Sequence, residues 1–401
     1  MTSVEAILAA DFDPACSPFF AAVVERLRQL TAVAGSRRGG VIETGIGRLA
    51  SEQGLSEDLA TALFRELATH EVADEDIGAL LIVLRPQVLS AATLAAFARV
   101  MRDQAPRVRP RLPPNEPLCD TCGTGSDSFG TFNVSTTIMF ILAAAGVRIA
   151  KHGNRGITSR CGSADVLAAL GVRIDLDPKA VARCIEEVGI GFMFAPLYHP
   201  AFKNVQRVRQ LLARETPPAL RARTVFNVLG PLANPARVSR QMIGVYDEHL
   251  VAKFADVLER LGAERALVVF GHCDGSVLGL DEFSLSGSTA VAELCNGKVS
   301  FWTLRPEDAG LERVTDPSLF SGGDESTNAA ILKRILSGEE SGPRMDLALL
   351  NAGAGLYMAG KCDTIAAGVE RARRLIREGS PLRKLEEFVA KTVELAPATP
   401  A

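Results

Sequence analysis

The sequence predicts an α/β protein: a small α-helical domain plus a larger α/β domain with a mostly parallel central sheet. Three observations predict it. Residues 56–105 repeat apolar positions at helical spacing, prolines then crowd 106–117, and short β-like runs alternate with helical runs beyond them. Alternation of that kind builds a sheet of parallel strands flanked by helices. A chain of 401 residues is long enough for one large or two modest domains.

Residues 1–44 carry no clear motif and end near Gly35-Ser36-Arg37-Arg38-Gly39-Gly40, so they read as an extension with a flexible joint. The helical domain is expected over 45–110. Ser56 can cap its first helix, with Leu59, Leu63 and Leu67 on one stripe. Ile77–Leu84 forms a second, stopped by Pro86. Ser90 can cap a third, with Leu94, Phe97 and Met101 inward. Pro106, Pro110, Pro113, Pro114 and Pro117 then make an extended linker, on which Arg107, Arg109 and Arg111 read as a solvated face. The α/β domain is expected over 118–401. Its strands are expected at Val147–Ala150, Val172–Leu176, Ile190–Phe194, Met242–Tyr246 and Ala266–Phe270. A helix from Asp177-Pro178 to Gly189 starts on an Asp cap with Pro in the first turn. Residues 289–304 read as a hairpin and 327–396 as helices.

Lys and Arg total 44 against 47 Asp and Glu, a net charge of -3, which gives no reason to coat nucleic acid or an acidic membrane. Aromatic side chains are too few for a stacking platform on single strands. An apolar content of 47% excludes a mainly disordered chain. The amino terminus lacks a basic region followed by an apolar run, and Ile138–Val147 is about half the length that spans a bilayer. The expectation is a cytoplasmic protein with no nucleic-acid and no membrane partner. Eight cysteines are sparse at this length and read as free thiols. Cys119 and Cys122 lack a second pair or a nearby His, and read as small residues leading into a glycine turn.

Three segments carry chemistry. In the first, Gly123-Thr124-Gly125-Ser126-Asp127 runs on to Thr131, Asn133, Ser135 and Thr136. Glycines let backbone N–H groups approach an anion, and the free N–H groups of the following helix favour phosphate. A tight strand-to-helix turn is the plain alternative. The second is Lys151-His152-Gly153-Asn154-Arg155, running on through Ser159 to Gly162-Ser163-Ala164-Asp165. It follows a strand, at the edge where open α/β sheets bind ligands. Ser163 either caps the next helix or donates to phosphate. The third is Gly279-Leu280-Asp281-Glu282. Adjacent carboxylates repel unless a cation lies between them, and oxygen-only ligands suit Mg²⁺ bridged to phosphates. An exposed acidic turn is the alternative. Together the three segments point to a phosphate-ester site.

The motifs GTG-x-D…TFN-x-ST, KHGNR…GSAD-x-L-x-x-LG, HPA, RTVFNVLGPLANPA, LDE, TNAAIL and DLALLNAGAGLYMAG resemble the anthranilate phosphoribosyltransferase family. The resemblance is colinear from about residue 45 to the end. It implies a fold related to pyrimidine nucleoside phosphorylases, a helical domain completed by helices near 178–220, and a homodimer contact through that domain. The implied reaction is Mg²⁺-dependent transfer of the phosphoribosyl group of phosphoribosyl pyrophosphate to the amine of anthranilate in tryptophan biosynthesis. Gly123, Ser126, Asp127, Thr131, Asn133, Ser135, Thr136, Lys151, Ser159 and Ser163 stand where the family holds phosphoribosyl pyrophosphate. Ser135, Asp281 and Glu282 stand where it holds Mg²⁺, and Lys151, Asp281 and Glu282 would carry the catalysis. Gly123, His152, Asn154 and Arg209 stand where it meets anthranilate, with Arg209 facing the carboxylate. Ser126 and Ser128 replace glycines usual in the family, and extra residues fall within Ala213–Arg221 and Gly275–Gly279. Another aromatic acceptor, a pyrimidine nucleoside phosphorylase and a non-catalytic nucleic-acid-binding relative are the competing readings.

Overall fold

The computed structural model describes residues 4–9, 17–32, 40–125, 129–156, 160–217, 220 and 223–397. It divides into two compact units, Met1–Ala105 with His199–Ala233, and Pro106–Tyr198 with Asn234–Ala401.

The chain begins with α1 (Val4–Leu8), α2 (Pro18–Ala32), α3 (Val41–Ala50), α4 (Glu57–Thr69), α5 (Asp74–Val83) and α6 (Ala91–Gln104). There follow β1 (Leu118–Gly123), α7 (Val134–Ala144), β2 (Arg148–Gly153), α8 (Ser163–Ala169), α9 (Pro178–Glu187), β3 (Ile190–Phe194) and α10 (Ala195–Tyr198). Next are α11 (Lys203–Glu215), α12 (Phe226–Leu232), β4 (Arg240–Gly244), α13 (His249–Arg260), β5 (Arg265–His272) and β6 (Gly279–Leu280). The chain closes with β7 (Thr289–Cys295), β8 (Lys298–Leu304), α14 (Glu325–Ser337), α15 (Pro343–Met358), α16 (Ile365–Arg377) and α17 (Ser380–Leu395).

The helical unit holds α1–α6, α11 and α12. Ser56 and Ser90 cap α4 and α6 by accepting from the N–H groups of Leu59 and Thr93. Phe64 stacks on Phe97 with centroids 3.8 Å apart and lies 5.6 Å from Phe226, so the returning segment shares the core of α4 and α6. Two boundaries differ from expectation. The stretch 1–44 is more than an extension: α2 buries Phe20, Val23, Val24, Leu27 and Leu30 within the unit. Most of its proposed glycine joint lies outside the described residues. The completing piece is His199–Ala233 rather than 178–220. Helix α9 belongs to the other unit because Val181 and Ile185 pack on β3, where a Cβ on Gly191 would lie 2.6 Å from Ile185 Cγ1.

The α/β unit is built on one sheet in the order β3-β2-β1-β4-β5-β7-β8, with β6 beside β5. The first five are parallel, β6 and β7 pair antiparallel with β5, and β8 pairs antiparallel with β7. The expected hairpin forms as β7 and β8, turning on Asn296 and Gly297 at φ 50 and 75. No strand forms at Val172–Leu176: the Arg173 N–H is taken by Thr392 Oγ1 at 3.1 Å, so the segment runs against α17 instead of a ladder. Helix α7 is apolar nearly all round and buried, in contact with α15 and α17. Among the described residues no helix is long and apolar enough to cross a membrane.

Candidate active site

Strand β1 leads outward to β2 and β3, and β4 leads the other way to β5, so the strand order reverses between β1 and β4. The crevice at the carboxyl ends of such a pair is where open α/β sheets bind ligands. Here both strands end in glycine, and Gly123 pairs with Gly244. The two glycines make room for Asp281. A Cβ on Gly123 would lie 2.3 Å from Asp281 Oδ2, and one on Gly244 would lie 1.5 Å from the Asp281 carbonyl oxygen. Gly125, at φ 70, donates its N–H to Asp281 Oδ2 at 2.7 Å.

Asp281 and Glu282 are both buried, at 7% and 8% exposure. Their backbone is anchored one residue on. The Asn351 side chain accepts the Phe283 N–H at 2.9 Å and donates to the carbonyls of Phe283 and Leu347 at 3.1 and 3.0 Å. Among the described residues no group of three His, Cys, Asp or Glu side chains gathers as a metal cluster. Two adjacent buried carboxylates fit a hard cation that completes its shell with water and phosphate oxygens, which is the habit of Mg²⁺.

Lys151 sits in β2, almost fully buried. Its Nζ donates to the Thr121 carbonyl at 2.6 Å and to Ser135 Oγ at 3.2 Å. The ammonium is therefore held at the foot of α7. No side chain caps the N-terminus of that helix, and the buried Thr136 hydroxyl makes no hydrogen bond among the described residues. Open N–H groups, hydroxyls and a buried ammonium make a cradle of donors, a chemistry that suits an anion such as phosphate. The Asn133 side chain is turned aside, donating to the Cys161 carbonyl at 3.2 Å and accepting from Asn328 Nδ2 at 3.0 Å. Thr131 bridges to Ser321, which pins the loop before α7.

Beneath the cradle, Asp120 is fully buried and accepts from Asn234 Nδ2 at 2.8 Å. Burial pushes its carboxyl up to about 6, while Lys151, the Asn234 amide and the N–H groups of Thr121 and His152 oppose the rise. Burial also pushes the Cys119 thiol up to about 12, so it stays protonated and acts as a small packing residue.

The loop after β2 is closed by Asp165. Its carboxylate accepts the N–H groups of Gly156 and Gly162 at 2.8 and 3.0 Å and pairs with Arg155 at 2.8 Å. Partial burial works to raise this carboxyl, and the three donors together hold it below its usual range. Ser163 packs on Gly153, where a Cβ would lie 2.0 Å from Ser163 Oγ, and donates to the Asn154 carbonyl at 3.5 Å. His152 is buried within β2.

Gly123, Thr131, Asn133, Ser135, Thr136, Lys151, His152, Asn154, Ser163, Asp281 and Glu282 thus all belong to the α/β unit, around the strand ends and the loops that follow them. Ser126, Asp127 and Ser159 lie outside the described residues, as does Ser128. Arg209 belongs to the helical unit, on α11. It donates to Gln206 Oε1 at 2.9 Å and lies 5.7 Å from the Phe226 ring centroid. Burial lowers its guanidinium to about 10, and no carboxylate pairs with it among the described residues. Four supporting residues have no role legible in the sequence: Asp120, Asn234, Asn328 and Asn351. The last three lie in the motifs LANPA, TNAAIL and LLNAGAG, and Asp165 lies in GSAD, so the motifs mark them without saying what they do.

Residues 115–382 match the glycosyl transferase family α/β domain, and residues 45–105 match that family's helical bundle domain. The chain is 46% identical over 356 residues to an anthranilate phosphoribosyltransferase of Rubrobacter xylanophilus, covering 89% of this chain and 99% of that one. An enzyme of the same name from Haloarcula marismortui is 46% identical over 83% of this chain and 96% of its own. Among solved structures, anthranilate phosphoribosyltransferase from Thermus thermophilus superposes with a TM-score of 0.77 at 40% identity, covering 87% of this chain and 99% of that one. The Saccharomyces cerevisiae enzyme in complex with phosphoribosyl pyrophosphate and Mg superposes with a TM-score of 0.71 at 26% identity, covering 94% and 99%.

Proposed function

We propose the function from one premise: the chain belongs to the anthranilate phosphoribosyltransferase family. It is a pentosyltransferase that moves the phosphoribosyl group of phosphoribosyl pyrophosphate onto the amine of anthranilate and releases pyrophosphate, a step of tryptophan biosynthesis. The observation that carries the reading is the pairing of glycines Gly123 and Gly244 over Asp281 at the strand-order reversal.

In the reaction the bond from ribose C1 to pyrophosphate oxygen breaks, the bond from C1 to the amine nitrogen forms, and the nitrogen sheds one proton. The amine is a neutral nucleophile, so alignment of the two substrates matters more than a strong base. Negative charge builds on the departing pyrophosphate. Lys151 and the open N–H groups and hydroxyls of α7 lie preorganised to receive it. Asp281, Glu282 and Ser135 would hold Mg²⁺, which supplies electrostatic stabilisation of pyrophosphate when bound. Gly123, Ser126, Asp127, Thr131, Asn133, Thr136, Ser159 and Ser163 would complete the phosphoribosyl pyrophosphate contacts. His152, Asn154 and Arg209, with the backbone at Gly123, would hold anthranilate. The planar guanidinium of Arg209, without a carboxylate partner among the described residues, suits the acceptor carboxylate. The same reading places the protein in the cytoplasm as a homodimer joined through the helical unit.

The test is a turnover assay with phosphoribosyl pyrophosphate and Mg²⁺ against anthranilate, other aromatic amines, and thymidine with phosphate. Anthranilate fluorescence should decay only when Mg²⁺ is present. Asp281→Asn and Glu282→Gln should each lose about two or more orders of magnitude in kcat and keep their circular dichroism. Phosphorolysis of thymidine without consumption of anthranilate would refute the assignment, as would full activity of both variants.

A further inference from the structure

The start of α2 and the end of α11 meet in a clasp. Glu215, the last residue of α11, accepts the Phe19 N–H through Oε2 at 2.9 Å. The Ser17 hydroxyl donates to the Glu215 carbonyl at 2.9 Å. Phe19 lies in the first turn of α2, where N–H groups have no partner within the helix and the dipole favours a carboxylate. Behind the clasp the apolar stripe of α2 is buried. A Cβ on Gly78 of α5 would lie 2.4 Å from Val23 Cγ2, so the two helices are in close contact there. Helix α2 lies ahead of the helical-bundle match, which begins at residue 45, and Glu215 lies within Ala213–Arg221, where the sequence resemblance leads one to expect extra residues. On the same helix stands Arg209, anchored only by Gln206 and the Phe226 ring among the contacts described above.

We propose that Glu215 is a positioning residue that fastens α11 to α2 and thereby aims Arg209, so that acceptor recognition in this protein depends on its N-terminal segment. The inference rests on Arg209 as the contact for the acceptor carboxylate. Glu215 and Arg209 are six residues apart on one helix, about 9 Å along its axis. A shift or fraying at the end of α11 therefore reaches Arg209 within two turns. A bidentate guanidinium–carboxylate pair is sensitive to orientation, so a misaimed Arg209 weakens the acceptor first. The residues assigned to phosphoribosyl pyrophosphate all belong to the α/β unit, to which the clasp contributes none.

Steady-state kinetics of the full chain with both substrates test this. Glu215→Ala should raise the anthranilate KM about five- to tenfold, with kcat and the KM for phosphoribosyl pyrophosphate within about twofold of the parent. Glu215→Gln keeps an acceptor oxygen for the Phe19 N–H and should restore the anthranilate KM. Glu215→Ala added to Arg209→Ala should raise that KM no further than Arg209→Ala alone, since both act through one contact. An unchanged anthranilate KM in Glu215→Ala, beside a raised one in Arg209→Ala, overturns the clasp and leaves the proposed reaction standing. So does a Glu215→Ala variant that only lowers the Tm, or one that raises both KM values alike. An unchanged KM in Arg209→Ala overturns the clasp together with the assigned role of Arg209. No turnover of anthranilate by the parent overturns the proposed reaction itself.

Discussion

Asp120→Asn isolates the charge buried beneath Lys151. The Asp120 carboxyl rises from 3.8 to about 6 on burial, against the pull of Lys151, Asn234 and two backbone N–H groups. That displacement is worth about 3 kcal/mol. Below the unfolded value the group is protonated in both states and nothing is lost. As pH climbs from about 4 toward 6, the unfolded chain releases the proton while the folded chain retains it, so folding stability falls. Above about 6 both states are ionised, and the whole penalty of about 3 kcal/mol is present. Asparagine has no proton to release. The stability of Asp120→Asn relative to the parent should therefore rise by about 2.5 kcal/mol between pH 4 and pH 7. Whatever the substitution costs in hydrogen bonds enters at every pH alike and leaves that slope untouched. Urea unfolding at several pH values measures it. Trp302, the single tryptophan, lies in the same unit as Asp120 and reports on that unit. At pH 7 the variant should also turn over more slowly, because the Lys151 ammonium has lost its buried counter-charge. A stability difference that stays flat with pH would refute the burial account of Asp120. Unchanged turnover would detach Asp120 from Lys151.

Two further substitutions probe how the acid pair is held. Asn351→Ala strands the buried N–H and carbonyl of Phe283 and should lower stability by about 2–4 kcal/mol, with a fall in kcat larger than any change in KM; thermal unfolding and kinetics on the same preparation check both. Gly244→Ala would place a Cβ 1.5 Å from the Asp281 carbonyl oxygen, so Asp281 must move, and Mg²⁺-dependent turnover should collapse even where circular dichroism stays native.

What was legible in the sequence was whatever local chemistry determines. Ser56 and Ser90 announced their helices because a cap needs only the next three residues. Ile190–Phe194 and the Asn296-Gly297 hairpin followed from short-range pattern in the same way. The glycine loop, Lys151 and the Asp281-Glu282 pair stood out because residues of those types rarely share a domain without phosphate and a cation to bind. Partner choice across the chain left no such mark. Val172–Leu176 has the composition of a strand, yet Thr392 takes the Arg173 N–H and no ladder forms. The first 44 residues hold the apolar spacing of a helix in α2, but nothing local says which surface it covers. Its counterpart is Glu215, 196 residues from Phe19. The buried amides of Asn234, Asn328 and Asn351 obey the same logic. Each is an ordinary polar residue in an apolar run, and it becomes a fastener only when the fold brings an unpaired carbonyl or N–H group to it. A buried amide without such partners would be a liability of a few kcal/mol. An Asn inside LLNAGAG therefore demands a distant backbone partner, and in this fold that partner is the residue next to Glu282.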